Sequence, residues 1–177
     1  MLLLAPTGVA FAFDDTRPTL RVGVLRGVHD MQDDVAAAMR NELRARGIDA
    51  FDAVRTYDEA IRDGVPVADF YVEIMSAEAS TEDHGGIGVG TRNAEVSVGV
   101  LVSRVVAEIR VYDSNMALLE SRDLRKRNTA VVPTSVGFGG RSLFAYIALP
   151  FIERAQVRQV VKAAGRAAAV EVLVAVR

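Results

Sequence analysis

The chain has no cysteine and no tryptophan among its 177 residues. Without thiols there is no disulfide, no thiolate metal ligand, no cysteine nucleophile and no site for acylation behind a leader. A domain of this length can nevertheless hold together by core packing alone. Aromatic residues are only 6% of the chain, which argues against a carbohydrate-binding or base-stacking platform. Histidine occurs only twice, as His29 and His84, and no G-x-S-x-G elbow is present, so a Ser-His-Asp triad has little material. The opening apolar run falls short of the roughly 20 residues a membrane-spanning helix requires. An excess of cations is missing as well: the net charge is −2, which gives no global attraction to nucleic acid or anionic lipid.

What the chain does have is enough apolar material for a sizeable core. Half its residues are hydrophobic, a quarter are charged and the mean hydropathy is +0.20. These are values of an ordinary single domain. Residues 1–12, MLLLAPTGVAFA, carry no charge and end in Ala10-Phe11-Ala12, just before Asp14-Asp15; the first cation is Arg17. Apart from the missing basic start, this is the apolar region and small-residue cleavage site of a secretory signal peptide. The expectation is a leader over 1–12 and one mixed α/β domain over 13–177, working in the periplasm or secreted.

Hydrophobic periodicity predicts a strand over Thr19–Val28, followed by an amphipathic helix in which Met31, Val35, Met39 and Leu43 recur every four residues. Asp30 is the candidate N-cap, Asp33 and Asp34 suit the positive end of the helix dipole, and Gly47 supplies the stop. A strand over Ile48–Val54 comes next. Thr56 and Glu59 then form a capping-box pair opening a short helix that Gly64 and Pro66 close. Ala68–Ala77 reads as a strand buried on both faces.

Glu78–Thr91 is polar and then glycine-rich, and suggests a flexible loop or closely packed backbone. Ala94–Tyr112 is a long β-run whose apolar residues change parity near Leu101–Val105, which predicts a bulge or a bend. Asp113-Ser114-Asn115 predicts a turn into a returning strand from Ala117, with Pro133 breaking that strand or marking an edge. A tight hairpin would set Gly85–Gly90 opposite Gly137–Gly140. The remainder, with Pro150 in its first turn, favours one helix running through Val170–Val176.

GGIGVG looks at first like a phosphate-cradling loop, but it precedes a strand rather than opening a helix, and no Gly-Lys-Ser/Thr follows. No cofactor is implied. His29 or His84, with Asp30, Glu82 or Asp83 nearby, offers the material of a small metal-dependent hydrolase, yet no metal-ligand spacing is present. The strongest charged feature is Arg122, Arg125, Lys126 and Arg127 on the returning strand, to which Arg104 and Arg110 could add. It is either a basic ridge for a partner or a guard against edge-to-edge aggregation.

The order strand, helix, strand, short helix, strand, hairpin, helix resembles the mixed α/β domain of several bacterial envelope proteins. These are the curli-secretion lipoprotein, the outer-membrane activator of penicillin-binding proteins, and the amino-terminal domain of the Tol-system propeller protein. The residues carrying the likeness are LRVGVLRGV, DDVAAAMRNELRARG and AEIRVYDSNMALLESR. The resemblance implies a mixed sheet with helices mainly on one face and no catalytic residues to transfer. Two expectations follow. The first is a non-enzymatic exported envelope domain that binds another protein or polymer, with no nucleic acid partner. The second is a membrane-associated oligomer that inserts or docks through the hairpin at 94–136.

Overall fold

The computed structural model describes residues 19–91, 94–138, 141–144 and 149–176. The leader therefore lies outside the described residues. Six strands form one mixed sheet in the order β2-β1-β3-β4-β5-β6. The strands are β1 (Arg21–Val24), β2 (Asp49–Asp52), β3 (Phe70–Thr91), β4 (Ala94–Asp113), β5 (Leu118–Phe138) and β6 (Arg141–Phe144). β1 is parallel to both β2 and β3, whereas β3 through β6 pair antiparallel. Three helices complete the domain: α1 (Asp30–Ala45), α2 (Tyr57–Asp63) and α3 (Leu149–Ala175).

The expected class, a mixed α/β sheet with helices mainly on one face and a C-terminal helix, is the observed one. α1 and α3 share one face of the sheet. There Val35, Met39 and Leu43 of α1 meet Val160, Ala164, Ala168 and Val172 of α3 over Val22, Val72, Val105 and Ile109. α2 lies on the opposite face, where Ala60 joins a smaller cluster with Leu25, Tyr71, Tyr112 and Met116. The Tyr57 ring stacks on that of Tyr112 at 4.7 Å between centroids. The capping box of α2 forms as expected: the Glu59 N–H donates to Thr56 Oγ1 and the Thr56 N–H donates to Glu59 Oε2.

Several local expectations need correction. The strand expected over Thr19–Val28 shortens to Arg21–Val24, and that over Ile48–Val54 to Asp49–Asp52. Asp30 is the first helical residue of α1 and His29 holds the cap position. The reason is Gln32, whose side-chain oxygen accepts the N–H groups of Val28 and His29 at 2.6 and 2.8 Å. Glu78–Thr91 is not a loop, since β3 continues through it to Thr91 with β4 alongside. Glycine weakens a strand but does not forbid one, and the valine-rich β4 supplies the pairing partner.

The register shifts lie at Ile74/Ser76 and Asp83/Gly86 between β3 and β4, and at Ser97/Val98 and Val111/Tyr112 between β4 and β5. The Asp83/Gly86 shift falls opposite Gly99–Leu101, at the edge of the expected Leu101–Val105, but its extra residue is in β3 and not in β4. The parity change in the sequence has another cause, which emerges at the candidate site. β5 runs on through Pro133, which pairs with Val98 beside one of those shifts, and β6 covers β5 only from Ser135 to Phe138. Gly90 and Gly137 both pair with Glu95, so these glycines reach the same end of the sheet with β4 between them. Gly139 and Gly140 lie outside the described residues. The helical reading of Val170 onward holds to Ala175.

Candidate functional site

Alternation along the strands divides the upper sheet into two faces with different roles. One face carries α3. Asn128, paired with Ser103, donates through Nδ2 to the side-chain oxygens of Gln156 and Gln159 on α3. Arg122, paired with Ile109, reaches Glu171 of α3 at 3.7 Å and also bonds Glu120. Both acids hold the Arg122 guanidinium further into its charged form.

The other face belongs to the even-numbered residues of β4, and no helix covers its upper part among the described residues. Arg104 pairs with Arg127 and Val106 with Arg125, so these side chains share the open face. The three arginines line a shallow depression around Val106. Val98, Val100 and Val106 are 40%, 37% and 38% exposed, and Val131, paired with Val100, is 69% exposed. On β3 the same face carries Glu78, beside Val106, and Glu82, beside Val102. Glu82 approaches Arg104 at 3.9 Å. Arg125 and Arg127 form no ion pair among the described residues.

This arrangement explains the parity change that sequence alone suggested was a bulge. Below Ser103 the apolar residues of β4 face the helices. Above it, valines occupy the open face while Leu101 remains buried beneath the helix side. β4 keeps its own alternation while the apolar side changes, so it serves two surfaces; on the second, Val98, Val100 and Val106 are exposed and Val102 is buried between them.

Of the cations singled out by sequence, Arg125 and Arg127 are thus brought together with Arg104. Arg122 and Lys126 alternate toward the helix face, although Lys126 also borders the depression. Arg110 lies lower on the open face, where its Nε donates to Glu108 at 2.9 Å. The histidines are not brought together: His29 caps α1, and His84 sits high on β3 with its Nε2 3.3 Å from Glu82. Among the described residues no three His, Asp or Glu side chains converge as a metal site. No helix among them is long and apolar enough to cross a membrane.

Sequence reasoning missed a second polar constellation, lower on the open face. Glu73 is only 7% exposed and accepts a 2.8 Å hydrogen bond from the Tyr112 hydroxyl. Burial pushes the Glu73 carboxyl above the usual range of a glutamate. The Tyr112 hydroxyl is pushed well up, chiefly by burial and then by its bond to Glu73, while Arg110 beside it acts in the opposite sense. The available signal was a lone Glu in an otherwise apolar strand, FYVEIM.

No protein-family model and no curated protein matches this chain. Solved structures do. A minor lipoprotein from Acinetobacter baumannii superposes with a TM-score of 0.51 at 10% identity, covering 88% of this chain and 92% of that one. An uncharacterized lipoprotein B from Nitrosomonas europaea gives a TM-score of 0.45 at 16% identity, covering 86% and 81%. The rare lipoprotein B from Shewanella oneidensis gives 0.43 at 11% identity, covering 88% and 92%. At these identities the similarity concerns the fold, and the fold is one that a bacterial lipoprotein adopts.

Proposed function

We propose that this chain is an exported, non-enzymatic domain of the bacterial cell envelope that docks another envelope protein against the open face of β3–β5. The reading rests on one observation: Arg125 and Arg127, without an acid partner among the described residues, stand beside exposed valines on a sheet face that no helix covers. Apolar side chains supply the area a stable contact needs, and cations without partners select a segment bearing carboxylates. The uncharged run at 1–12 supports export, and the fold shared with a bacterial lipoprotein is compatible with an envelope address.

The test is crosslinking in the native cell with the doubly charge-reversed variant Arg125→Glu/Arg127→Glu. Both side chains are exposed, so the melting temperature should stay unchanged while capture of the partner is lost. Capture at the wild-type level by that variant would refute the assignment.

The exposure of Val98, Val100 and Val131 favours a second reading, in which the 94–136 hairpin docks on lipid. Arg104, Glu108 and Arg110 interrupt the apolar stretch soon after it begins. Sedimentation with vesicles separates the two readings, because a protein-docking domain stays in the supernatant.

A further inference from the structure

A cavity of about 360 Å³ opens between the first turn of α2, the β1–α1 loop and the bulge of β3 at Met75. Its walls include Tyr57, Asp58, Glu73, Met75, Val28 and Arg110. We propose that this cavity binds a small organic cation, a primary amine on a short apolar body, with Glu73 and Asp58 receiving the ammonium group.

The walls are held in place before any ligand arrives. Gln32 is buried, and its side chain ties the β1–α1 loop to the bulge: its oxygen takes two loop N–H groups and its amide donates to the Met75 carbonyl. The Thr56–Glu59 capping box fixes the first turn of α2, which carries Tyr57 and Asp58. Stacking of Tyr57 on Tyr112 fixes the ring beside Glu73. A β-bulge at this position re-aims the strand next to the cavity, as bulges beside binding sites do.

The charge balance selects a cation. Arg110 is the one base in the lining, and Glu108 already engages it at 2.9 Å. Neither Glu73 nor Asp58 forms an ion pair among the described residues. The one hydrogen bond to Glu73 there comes from Tyr112, through Oε2. Arg110 stands across the strand pair from Glu73 and offsets part of the cost of burying its carboxylate, but its guanidinium is already bonded to Glu108, and a neutral amide could accept the tyrosine hydroxyl equally well. What an acid adds at this position is attraction for a positive group entering the cavity. Burial raises the Glu73 carboxyl despite the opposing pull of Arg110, so its charge is not fully compensated in the free protein. Val28 and Met75, both exposed at the rim, offer apolar contact to the rest of the ligand.

Butylamine, with butyrate and butanol as charge-reversed and neutral controls, tests the site by amide chemical-shift titration of the whole protein. Butylamine should give saturable shifts at Val28, Tyr57 and Met75 with Kd of about 1 mM. Glu73→Gln should weaken that binding by about tenfold or more. The affinity should also rise with pH as Glu73 ionises. Asp58→Asn, at an exposed position, should weaken it too and guards against misfolding of the buried variant. Equal shifts with butyrate or butanol, no saturation, or wild-type affinity in both variants would overturn the proposal. Arg125→Glu/Arg127→Glu should bind butylamine normally, so this site stands or falls apart from the docking face.

Discussion

Gly165 of α3 crosses α1 directly over Ala38, so close that a Cβ added to the glycine would lie 2.4 Å from the Cβ of Ala38 and 2.7 Å from the Met39 nitrogen. Backbone, not a flexible side chain, occupies the space. Alanine has the better helix propensity by about 1 kcal/mol, but overpacking at a rigid contact costs about 1–3 kcal/mol. Gly165→Ala should therefore lower the denaturation midpoint; a rise measured by urea unfolding would show that the helices can move apart freely.

Val54 sits at φ 56°, a left-handed conformation that branched side chains avoid, and its side chain is 69% exposed. Little packing would be lost on replacing it. Val54→Asn, with a side chain that tolerates this region, should stabilise the fold by about 1 kcal/mol. Thermal melting checks the sign.

Thr56 caps α2 from both directions through its reciprocal bonds with Glu59. Thr56→Ala leaves the Glu59 N–H without its side-chain acceptor and should cost about 1 kcal/mol. Because α2 also presents Tyr57 to Tyr112, the same variant should alter the near-ultraviolet circular dichroism of the tyrosines.

Glu73 determines a pH dependence whose direction is fixed by burial. Its carboxyl titrates higher in the folded chain than in the unfolded one. Between those two values the folded state holds more protons, so the stability it contributes is complete below the unfolded value and lost as pH rises through the folded one. Unfolding measured across that window should show a falling contribution in the wild type, and Glu73→Gln should flatten it. A slope that persists unchanged in the variant would assign it to another group.

Most of the architecture could be read from the sequence wherever one side of an element is apolar and the other is not. The four-residue spacing of Val35, Met39 and Leu43 specified α1, and the Thr56–Glu59 pair specified the start of α2. β3 was cut short because Ser76 to Thr91 offers few large apolar residues, and its strand character comes from the neighbouring β4. β6, over Arg141–Phe144, was not foreseen, since so short a segment has no period of its own. The basic cluster was visible as a run, but only pairing shows that Arg125 and Arg127 join Arg104 while Arg122 turns to Glu171. The Glu73–Tyr112 contact spans 39 residues of sequence, so the lone Glu in FYVEIM marked one partner and nothing local marked the other.

The placement of α3 has a consequence for how the chain acquires its structure. Val160, Ala164, Ala168 and Val172 complete the main core over strands and a helix that all precede them. A ribosome-bound chain that has emerged only as far as β6 has α1 to cover β1 and β3, but leaves Val105, Ile109 and Leu124, on the strands that α3 packs against, facing water. Burial of the β4–β5 half of the sheet thus waits for synthesis to reach α3, so that half of a nascent chain stays loosely organised until then. Stop codons within 160–172 should remove the fold as a whole, not shorten it.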